Sequence, residues 1–404
     1  MRQNYKRLGD YIKEVKVRNT DLMATELLGV NIDKFFMPSV ANIVGTDMTV
    51  YKIVKRGQFA CNRMHVGRDM RLPVALSDRD YEFMVSPAYD VFEIKDTAKL
   101  LPEYLMMWFT RKEFDRNAWF YTDADVRGGL HWKALCDMQL PIPPITKQRE
   151  IVNEYNVIQN RITLNQQLIQ KLEETAQAIY KQWFVDFEFP NENGLPYKSN
   201  GGEMVWCEEL GKEIPNGWEV KPFTGIINLS GGGTPDTNNE KYWNGDIPFF
   251  TPADVVESYY SISTEKNVTE LGLKNSSTKL YPKDTIFVTA RGTVGAISIA
   301  GCAMTMNQSC YAITGTKGMN QFFVHQLTLD AIAKLKNEAV GAVFAALVTK
   351  DFDSQILIEP NINSIQMFGT KVCLIYEYIL NIVKENQKLS ELKDLLLSKL
   401  ASIN

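Results

Sequence analysis

Two segments of this chain share one long helical seam, and this repeat constrains the fold more than any other feature. The first seam steps alternately by four and three residues, as in a coiled coil: Ile151, Tyr155, Ile158, Ile162, Asn165, Ile169, Leu172, Ala176, Ile179 and Trp183. The second begins Val372, Tyr376, Ile379, Val383 and Asn386. The five matching positions keep a constant offset of 221 residues. The repeat predicts a globular block followed by a long helix, twice over.

The two asparagines interrupt their seams near the middle of each predicted helix. The first helix is predicted from Thr146, as N-cap, to Phe184, a length of about 58 Å. In an antiparallel pair with full overlap the two midpoints meet, and a polar core residue fixes register at a cost in stability. We therefore expect Asn165 and Asn386 to face each other. The alternative is two unrelated polar interruptions.

The domain plan follows from the seams and from the turn-rich sequence between them. Short β-rich runs, such as Tyr51–Val54 and Thr285–Thr289, lie between Gly, Pro, Asn and Asp turns. Each block ends in a predicted helical stretch, Pro102–Phe114 in the first and Asn320–Asn337 in the second. The predicted class is α+β, with two mixed α/β domains and two long helices packed as an antiparallel, pseudo-two-fold coiled coil. The predicted segments are domain 1 at 1–145, the central helix at 146–190, a linker at 191–217, domain 2 at 218–360 and the distal helix at 361–404.

Composition is that of an ordinary soluble protein. Of 404 residues, 45% are hydrophobic and 23% charged, which is too apolar for a disordered chain. The run from Ala339 to Val348 is about half as long as a membrane span needs. The polar N-terminus is unlike a signal peptide. We expect a cytoplasmic protein that does not contact a membrane.

Motifs for catalysis and metal binding are missing from the sequence. There is no GxxxxGK[ST] phosphate-binding loop. The six cysteines form no CxxC pair, and the three histidines are scattered, so zinc ligation and a Cys-His or Ser-His pair are unsupported. We expect no catalytic residue, no metal and no cofactor in this chain. A net charge of −4 means that any DNA-binding face must concentrate its basic residues locally.

What remains are turns suited to polar recognition. Block one has a stretch around Gly67 and another around Gly128, which together carry Arg63, His65, Arg68, Arg127 and Lys133. In block two the single arginine is Arg291, directly after a predicted strand, and Asn307 and Gln308 follow. Arginine pairs with guanine, and asparagine or glutamine with adenine. The alternative for each is a surface turn with a salt-bridged arginine.

Several motifs resemble one family. Pro141–Ile151, Asn165–Leu168, Leu172-Glu173 and Trp183–Phe187 resemble the central region of type I restriction–modification specificity subunits. Gly233-Thr234-Pro235, Tyr242–Gly245, Arg291–Gly295 and Asn307-Gln308 are similar to a target recognition domain of that family. In block one, Asn42–Gly45, Gly57–Ala60 and Ser86–Tyr89 look like the family's other common recognition-domain type. Block one also lacks the Gly-Thr-Pro and Tyr-Trp motifs, so the two domains are expected to differ in type and to read different half-sites. The distal helix departs most, because Ile358-Glu359-Pro360 replaces the proline-rich entry.

The resemblance implies a non-catalytic protein that binds double-stranded DNA. Each recognition domain would read half of an asymmetric bipartite site, and the paired helices would set the gap. Two methylation subunits would carry S-adenosylmethionine, and restriction subunits would carry ATP and Mg²⁺. The expected DNA contacts are Arg63, His65, Arg68, Arg127, Lys133, Thr234, Tyr242, Arg291, Asn307 and Gln308.

Two other functions compete with this interpretation. One is a two-headed scaffold that binds proteins or glycans through two globules on a coiled-coil spacer. The Arg, Asn and Gln content of the turns argues against it. The other is a self-sufficient nuclease or methyltransferase, which the missing motifs disfavour.

Overall fold

The computed structural model describes residues 5–41, 45–64, 66–122, 128–316, 318–338 and 346–402. The chain forms two compact units. The first unit comprises Met1–Ile162 and Leu389–Asn404, and the second comprises Thr163–Lys388. Each long helix therefore contributes a segment to both units.

The first half of the chain alternates short strands and short helices before one long helix. Its strands are β1 (Tyr5–Arg7), β2 (Ile12–Val15), β3 (Leu28–Val30), β4 (Phe36–Pro38), β5 (Lys52–Val54), β6 (Phe59–Cys61), β7 (Val74–Leu76), β8 (Phe83–Val85), β9 (Asp90–Ile94) and β10 (Gln139–Pro141). Its helices are α1 (Val66–Asp69), α2 (Pro102–Thr110), α3 (Lys112–Phe120), α4 (Trp132–Asp137) and α5 (Ile145–Tyr180).

The second half has the same general plan, with more strands. Its strands are β11 (Met204–Cys207), β12 (Lys212–Pro215), β13 (Glu219–Pro222), β14 (Ile227–Gly231), β15 (Trp243–Phe250), β16 (Tyr260–Ser261), β17 (Lys266–Val268), β18 (Ile286–Thr289), β19 (Ile297–Ala300), β20 (Thr305–Met306), β21 (Cys310–Gly315) and β22 (Ile356–Glu359). Its helices are α6 (Phe223–Ile226), α7 (Glu270–Lys274), α8 (Gln321–Glu338), α9 (Thr349–Ser354) and α10 (Ile362–Lys399).

The first unit is built on an antiparallel sheet in the order β2-β9-β6-β7. Phe59 and Phe92 stack on one another at 4.9 Å, and Phe109 of α2 meets both rings edge-on. Sequence periodicity predicts one helix over Pro102–Phe114, but the structure has two. The extended backbone of Arg111 separates α2 from α3. The Arg111 guanidinium lies 4.3 Å from the centroid of the Trp108 ring.

The second unit contains a five-stranded sheet in the order β14-β21-β18-β19-β16 and a three-stranded sheet in the order β17-β15-β20. The apolar strand Ile286–Thr289 is central to the larger sheet and fully buried. Helix α8 and the adjoining segments of α5 and α10 pack on this sheet through one continuous core. The α+β class is confirmed.

The long helices lie close to the positions that periodicity predicts. Helix α5 begins at Ile145 and ends in a π-helical turn, Lys181–Val185. The N-cap prediction for Thr146 is wrong, because the Pro144 carbonyl already accepts the amides of Lys147 and Gln148. Buried seam positions, such as Ala176 at 0% exposure, confirm the packing face.

The two helices run antiparallel within each unit. In the second unit the side-chain amide of Asn165 donates to Oδ1 of Asn386 at 2.8 Å, and further along Tyr180 meets Phe368 at 6.1 Å. In the first unit Lys393 donates to Gln159 at 3.1 Å. The expected contact between the two asparagines is therefore present, and its role in register stays a prediction.

The segment predicted as a linker, 191–217, differs from expectation. It contains the antiparallel hairpin β11–β12, in which Met204 pairs with Pro215. Cys207 and Ile214 of this hairpin are buried in the core of the second unit. Glycine-rich turns suggested a linker, but two buried side chains anchor the segment. The functional domain boundaries stay predictions.

No helix in the described ranges is long and apolar enough to cross a membrane. Residues 339–345 of the apolar run Ala339–Val348 lie outside those ranges.

Candidate nucleic-acid interface

The neighbouring strands β14, β21 and β18 of the second unit each have one end at the same edge of the five-stranded sheet. Strand β14 ends where Gly231 pairs with Tyr311, and β18 ends where Thr289 pairs with Cys310. The residues just beyond these ends are the ones that the sequence marks out: Thr234, Arg291, Asn307 and Gln308. The topology therefore brings four of the predicted contacts, from three separate stretches of sequence, to one edge.

Two glycines let the first of these stretches approach the third. A Cβ on Gly232 would lie 2.0 Å from the Asn307 carbonyl oxygen, and one on Gly233 would lie 2.2 Å from Ser277 Oγ. The Gly233 amide donates to the Met306 carbonyl at 3.1 Å. Only residues without a side chain fit such close backbone packing.

The approach of the two loops pairs two candidate side chains. The Thr234 hydroxyl donates to Oε1 of Gln308. Gln308 is exposed, whereas Asn307 is half-buried and uses its Oδ1 to accept the Ser309 amide at 3.0 Å. Both side chains keep amide N–H donors beyond these contacts.

Arg291 projects from a tight, well-fixed turn. Gly292 and Gly295 have φ of +78° and +71°, values that L side chains rarely adopt. The Ala290 amide donates to the Ser309 carbonyl at 2.7 Å, and Lys336 of α8 donates to the Gly295 carbonyl at 2.8 Å. Arg291 itself is exposed. The turn thus holds an arginine beside Asn307 and Gln308 without burying it.

Tyr242 stands apart from these four residues. It is half-buried in the turn before β15, and its carbonyl accepts the Thr269 amide at 2.9 Å. The opposite end of β15, Phe250, is the one that accepts the Asn307 amide, at 3.0 Å. The predicted contact role of Tyr242 gains no support from this placement.

In the first unit the two predicted stretches meet through glycines. The Gly67 amide donates to the Gly128 carbonyl at 2.7 Å, and a Cβ on either glycine would lie 2.6 Å from the Cα of the other. Arg68 and Lys133 are exposed beside this contact. Arg68 pairs with Asp69 through two bonds of 2.6 and 2.9 Å. His65 and Arg127 lie outside the described residues.

Arg63 is engaged inside the first unit. Its Nε donates to Oδ2 of Asp90 at 2.6 Å, its Nη1 donates to the Leu130 carbonyl, and its guanidinium lies 5.8 Å from the Trp132 ring centroid. The side chain is 19% exposed. This geometry favours the alternative of a salt-bridged arginine, which orients the turn rather than reaching a ligand.

Two features near these surfaces were missed in the sequence. The first is Lys279, whose Nζ lies 3.4 Å from Ser230 Oγ near the end of β14. The polar run Ser276-Ser277-Thr278, directly before Lys279 in the sequence, was the signal that could have indicated it. Trp119 and Phe120 at the end of α3 are 46% and 78% exposed. Only burial reveals them, because aromatic residues at helical spacing normally indicate core.

Burial keeps several ionisable groups of the core uncharged. Burial lowers the pKa of His325 to about 3, so the imidazole is neutral. Burial also raises the pKa of the Cys61 and Cys310 thiols. In the described part of the chain no group of three or more His, Cys, Asp or Glu side chains is placed to hold a metal.

Comparison with known proteins finds relatives of one kind. Residues 215–400 match the model of the type I restriction modification DNA specificity domain. The chain is 26% identical over 423 residues to the type I restriction enzyme HindI specificity subunit of Haemophilus influenzae, with 91% of each protein covered. The chain is therefore similar to type I specificity subunits along most of its length.

Other relatives of this chain agree with the similarity. The MjaIX specificity subunit of Methanocaldococcus jannaschii is 26% identical, over 74% of this chain and 68% of that protein. The crystal structure of the S subunit from M. genitalium shares the fold, with a TM-score of 0.58, 14% identity and coverage of 98% and 95%. The predicted resemblance and the DNA-specificity role are confirmed, and specificity subunits are in general non-catalytic.

Proposed function

We propose that the sheet edge carrying Thr234, Arg291, Asn307 and Gln308 reads one half of a bipartite, asymmetric DNA site. The convergence of these four side chains on one edge is the observation that carries the proposal. A guanidinium and two side-chain amides are the groups that pair with guanine and adenine edges in the major groove. The glycine turns present them on a fixed backbone, which lowers the ordering cost of binding.

The first unit reads the other half-site. Arg68 and Lys133 belong to the two stretches that meet at the Gly67–Gly128 contact, and both are exposed, as a DNA-facing surface requires. His65 and Arg127 stay predicted contacts on that surface. Arg63 orients the turn through Asp90, so its removal should disturb the surface without deleting a base contact.

The paired helices set the gap between half-sites and dock two methylation subunits. The Asn165–Asn386 hydrogen bond supports a fixed register, because a slipped arrangement would leave the buried Asn165 amide without this partner. S-adenosylmethionine would bind to the methylation subunits, and ATP and Mg²⁺ to restriction subunits. This chain would select the DNA sequence, and its partners would supply the catalytic groups and much of the phosphate binding.

Methylome sequencing tests the proposal. The chain is expressed with its methylation subunit in a host without other adenine methylation, beside a matched strain that lacks only this chain. We expect a bipartite methylated motif in the first strain alone. Exchanging residues 218–360 for the matching domain of a relative should replace one half-motif and keep the other. The same methylation pattern with and without the chain would overturn the proposal.

A further inference from the structure

Tyr259 connects the large sheet of the second unit to helix α5. Its carbonyl accepts the amide of Ile299 in β19 at 2.7 Å. Its own amide donates to Oε1 of Glu173 at 2.8 Å, and its hydroxyl accepts the side-chain amide of Gln177 at 3.0 Å. One residue is thus bonded to the sheet on one side and to α5 on the other.

A second tyrosine extends the connection to α8 and α10. The hydroxyl of Tyr376 in α10 lies 2.8 Å from Nδ1 of His325 and accepts the Gln326 side-chain amide at 2.7 Å. Gln326 also lies 3.3 Å from the Tyr259 hydroxyl. The two tyrosine rings stack with centroids 5.6 Å apart. We call Glu173, Gln177, Tyr259, Gln326 and Tyr376 the tyrosine network.

Directional hydrogen bonds in a buried site fix the angle between the sheet and the helices, which apolar packing alone would leave adjustable. Tyr376 and Gln326 are 0% and 2% exposed, so a rotation of the sheet on the helices would leave buried polar groups unpaired. Networks of this kind are costly to break in part and therefore make an arrangement unique. The apolar contacts around them would tolerate small sliding much better.

We propose that the tyrosine network sets the angle of the second unit's sheet on its helix segments and thereby restricts the DNA gap length that the subunit accepts. The inference rests on the proposed reading of a bipartite site. One base pair more in the gap moves a half-site by about 3.4 Å along the DNA and about 35° around it. A reading edge held at a fixed angle cannot follow that rotation. If the network is loosened, the edge can follow it.

The test uses the complex with the methylation subunit and DNA duplexes that carry the mapped motif. Three duplexes are compared: one with the native gap, one with a gap one base pair shorter and one with a gap one base pair longer. Tyr259→Phe removes the hydroxyl and keeps the ring. Gln177→Leu breaks one bond at an exposed helix position, where misfolding is not at issue. The matched control is Tyr260→Phe, which removes a buried hydroxyl bonded to Asp284 at 2.9 Å and to neither long helix.

The readout is the methylation rate on each altered gap divided by the rate on the native gap. We expect both network variants to raise this ratio at least about fivefold. Recognition of each half-site should be unchanged, and Tyr260→Phe should leave the ratio at the wild-type value. Thermal unfolding of all variants separates this effect from lost stability.

Three outcomes would overturn the inference. If the network variants reject altered gaps as strongly as the wild type does, only the network's role fails. The network's role also fails if Tyr260→Phe raises the rate ratio as much as the network variants do, since loss of stability would then explain the effect. If the wild type methylates no bipartite motif, the proposed function fails and the inference fails with it.

Discussion

Replacing Asn165 and Asn386 by leucine, singly and together, measures what their contact contributes to the helix pair. Asn165 is 2% exposed and donates to Asn386 at 2.8 Å. A leucine in place of buried Asn165 gains about 2 kcal/mol from burial, and one in place of half-buried Asn386 gains about 1 kcal/mol. Asn165 left unpaired costs about 2 kcal/mol, whereas Asn386, which water can reach, costs about 1 kcal/mol. We therefore expect Asn165→Leu to be about 1 kcal/mol more stable than the wild type and Asn386→Leu about 1 kcal/mol less stable.

The double variant should behave differently. Two leucines gain about 3 kcal/mol from burial, and the lost hydrogen bond costs about 1 kcal/mol, so the chain should be about 2 kcal/mol more stable than the wild type. The cycle then gives a coupling energy of about 2 kcal/mol, within the range for contacting residues. The measurement is urea unfolding followed by tryptophan emission, since Trp183 and Trp218 lie in this core.

A surface pair on the same helix supplies the control. Gln170 donates to Glu174 at 2.9 Å, but both side chains are exposed. The same cycle there should give about 0.2–0.5 kcal/mol. A coupling energy for the asparagine pair no larger than this would refute the reasoning. The pair would then be two separate polar interruptions.

Three further predictions concern the site and its support. Arg291→Ala should relax discrimination at one base of one half-site by about 1–3 kcal/mol in methylation assays, whereas an equal loss on every sequence would reveal a phosphate contact. Gly232→Ala should weaken DNA binding and lower the thermal midpoint, because its methyl group would lie 2.0 Å from a carbonyl oxygen. Gly231→Ala, with nothing within 4 Å, is the control, and equal effects would contradict the packing argument. Burial raises the pKa of Glu173 from 4.5 to about 7, so between these values the folded chain keeps a proton that the unfolded chain loses. The free energy of unfolding then falls as pH rises through that window, by about 1–2 kcal/mol after allowance for solvent screening. Glu173→Gln should abolish this fall. Unchanged pH dependence of urea unfolding in the variant would show that Glu173 is not its source.

The long helices and the asparagine contact could be predicted because their signals are local. A seam of four-and-three steps specifies a buried helix face from the spacing of residues alone. The repeat at constant offset then fixes which two positions correspond. The N-cap of α5 was misplaced by two residues, because the Pro144 carbonyl already accepts the amides of Lys147 and Gln148 and the helix begins at Ile145.

The candidate site was predicted in part. Arg291, Asn307 and Gln308 follow turn signals that are visible in the sequence, and the sheet register then brings them together. The engagement of Arg63 could not be foreseen, because its partner Asp90 lies 27 residues away and only tertiary structure makes them meet. Tyr259 escaped for the same reason, since its bonds join elements that are distant in sequence.

Under the proposed function, these placements separate residues that would contact DNA bases from residues that maintain the geometry of the fold. Arg291 and Gln308 are exposed at the ends of loops, so exchanging them leaves the buried core untouched. Gly232, Tyr259 and Asn165 are close-packed or hydrogen-bonded between elements, so exchanging them alters geometry instead. Changes at the first kind of position should therefore alter the base sequence that is recognised at a constant gap. Changes at the second kind should alter the gap or the stability while the recognised bases stay the same.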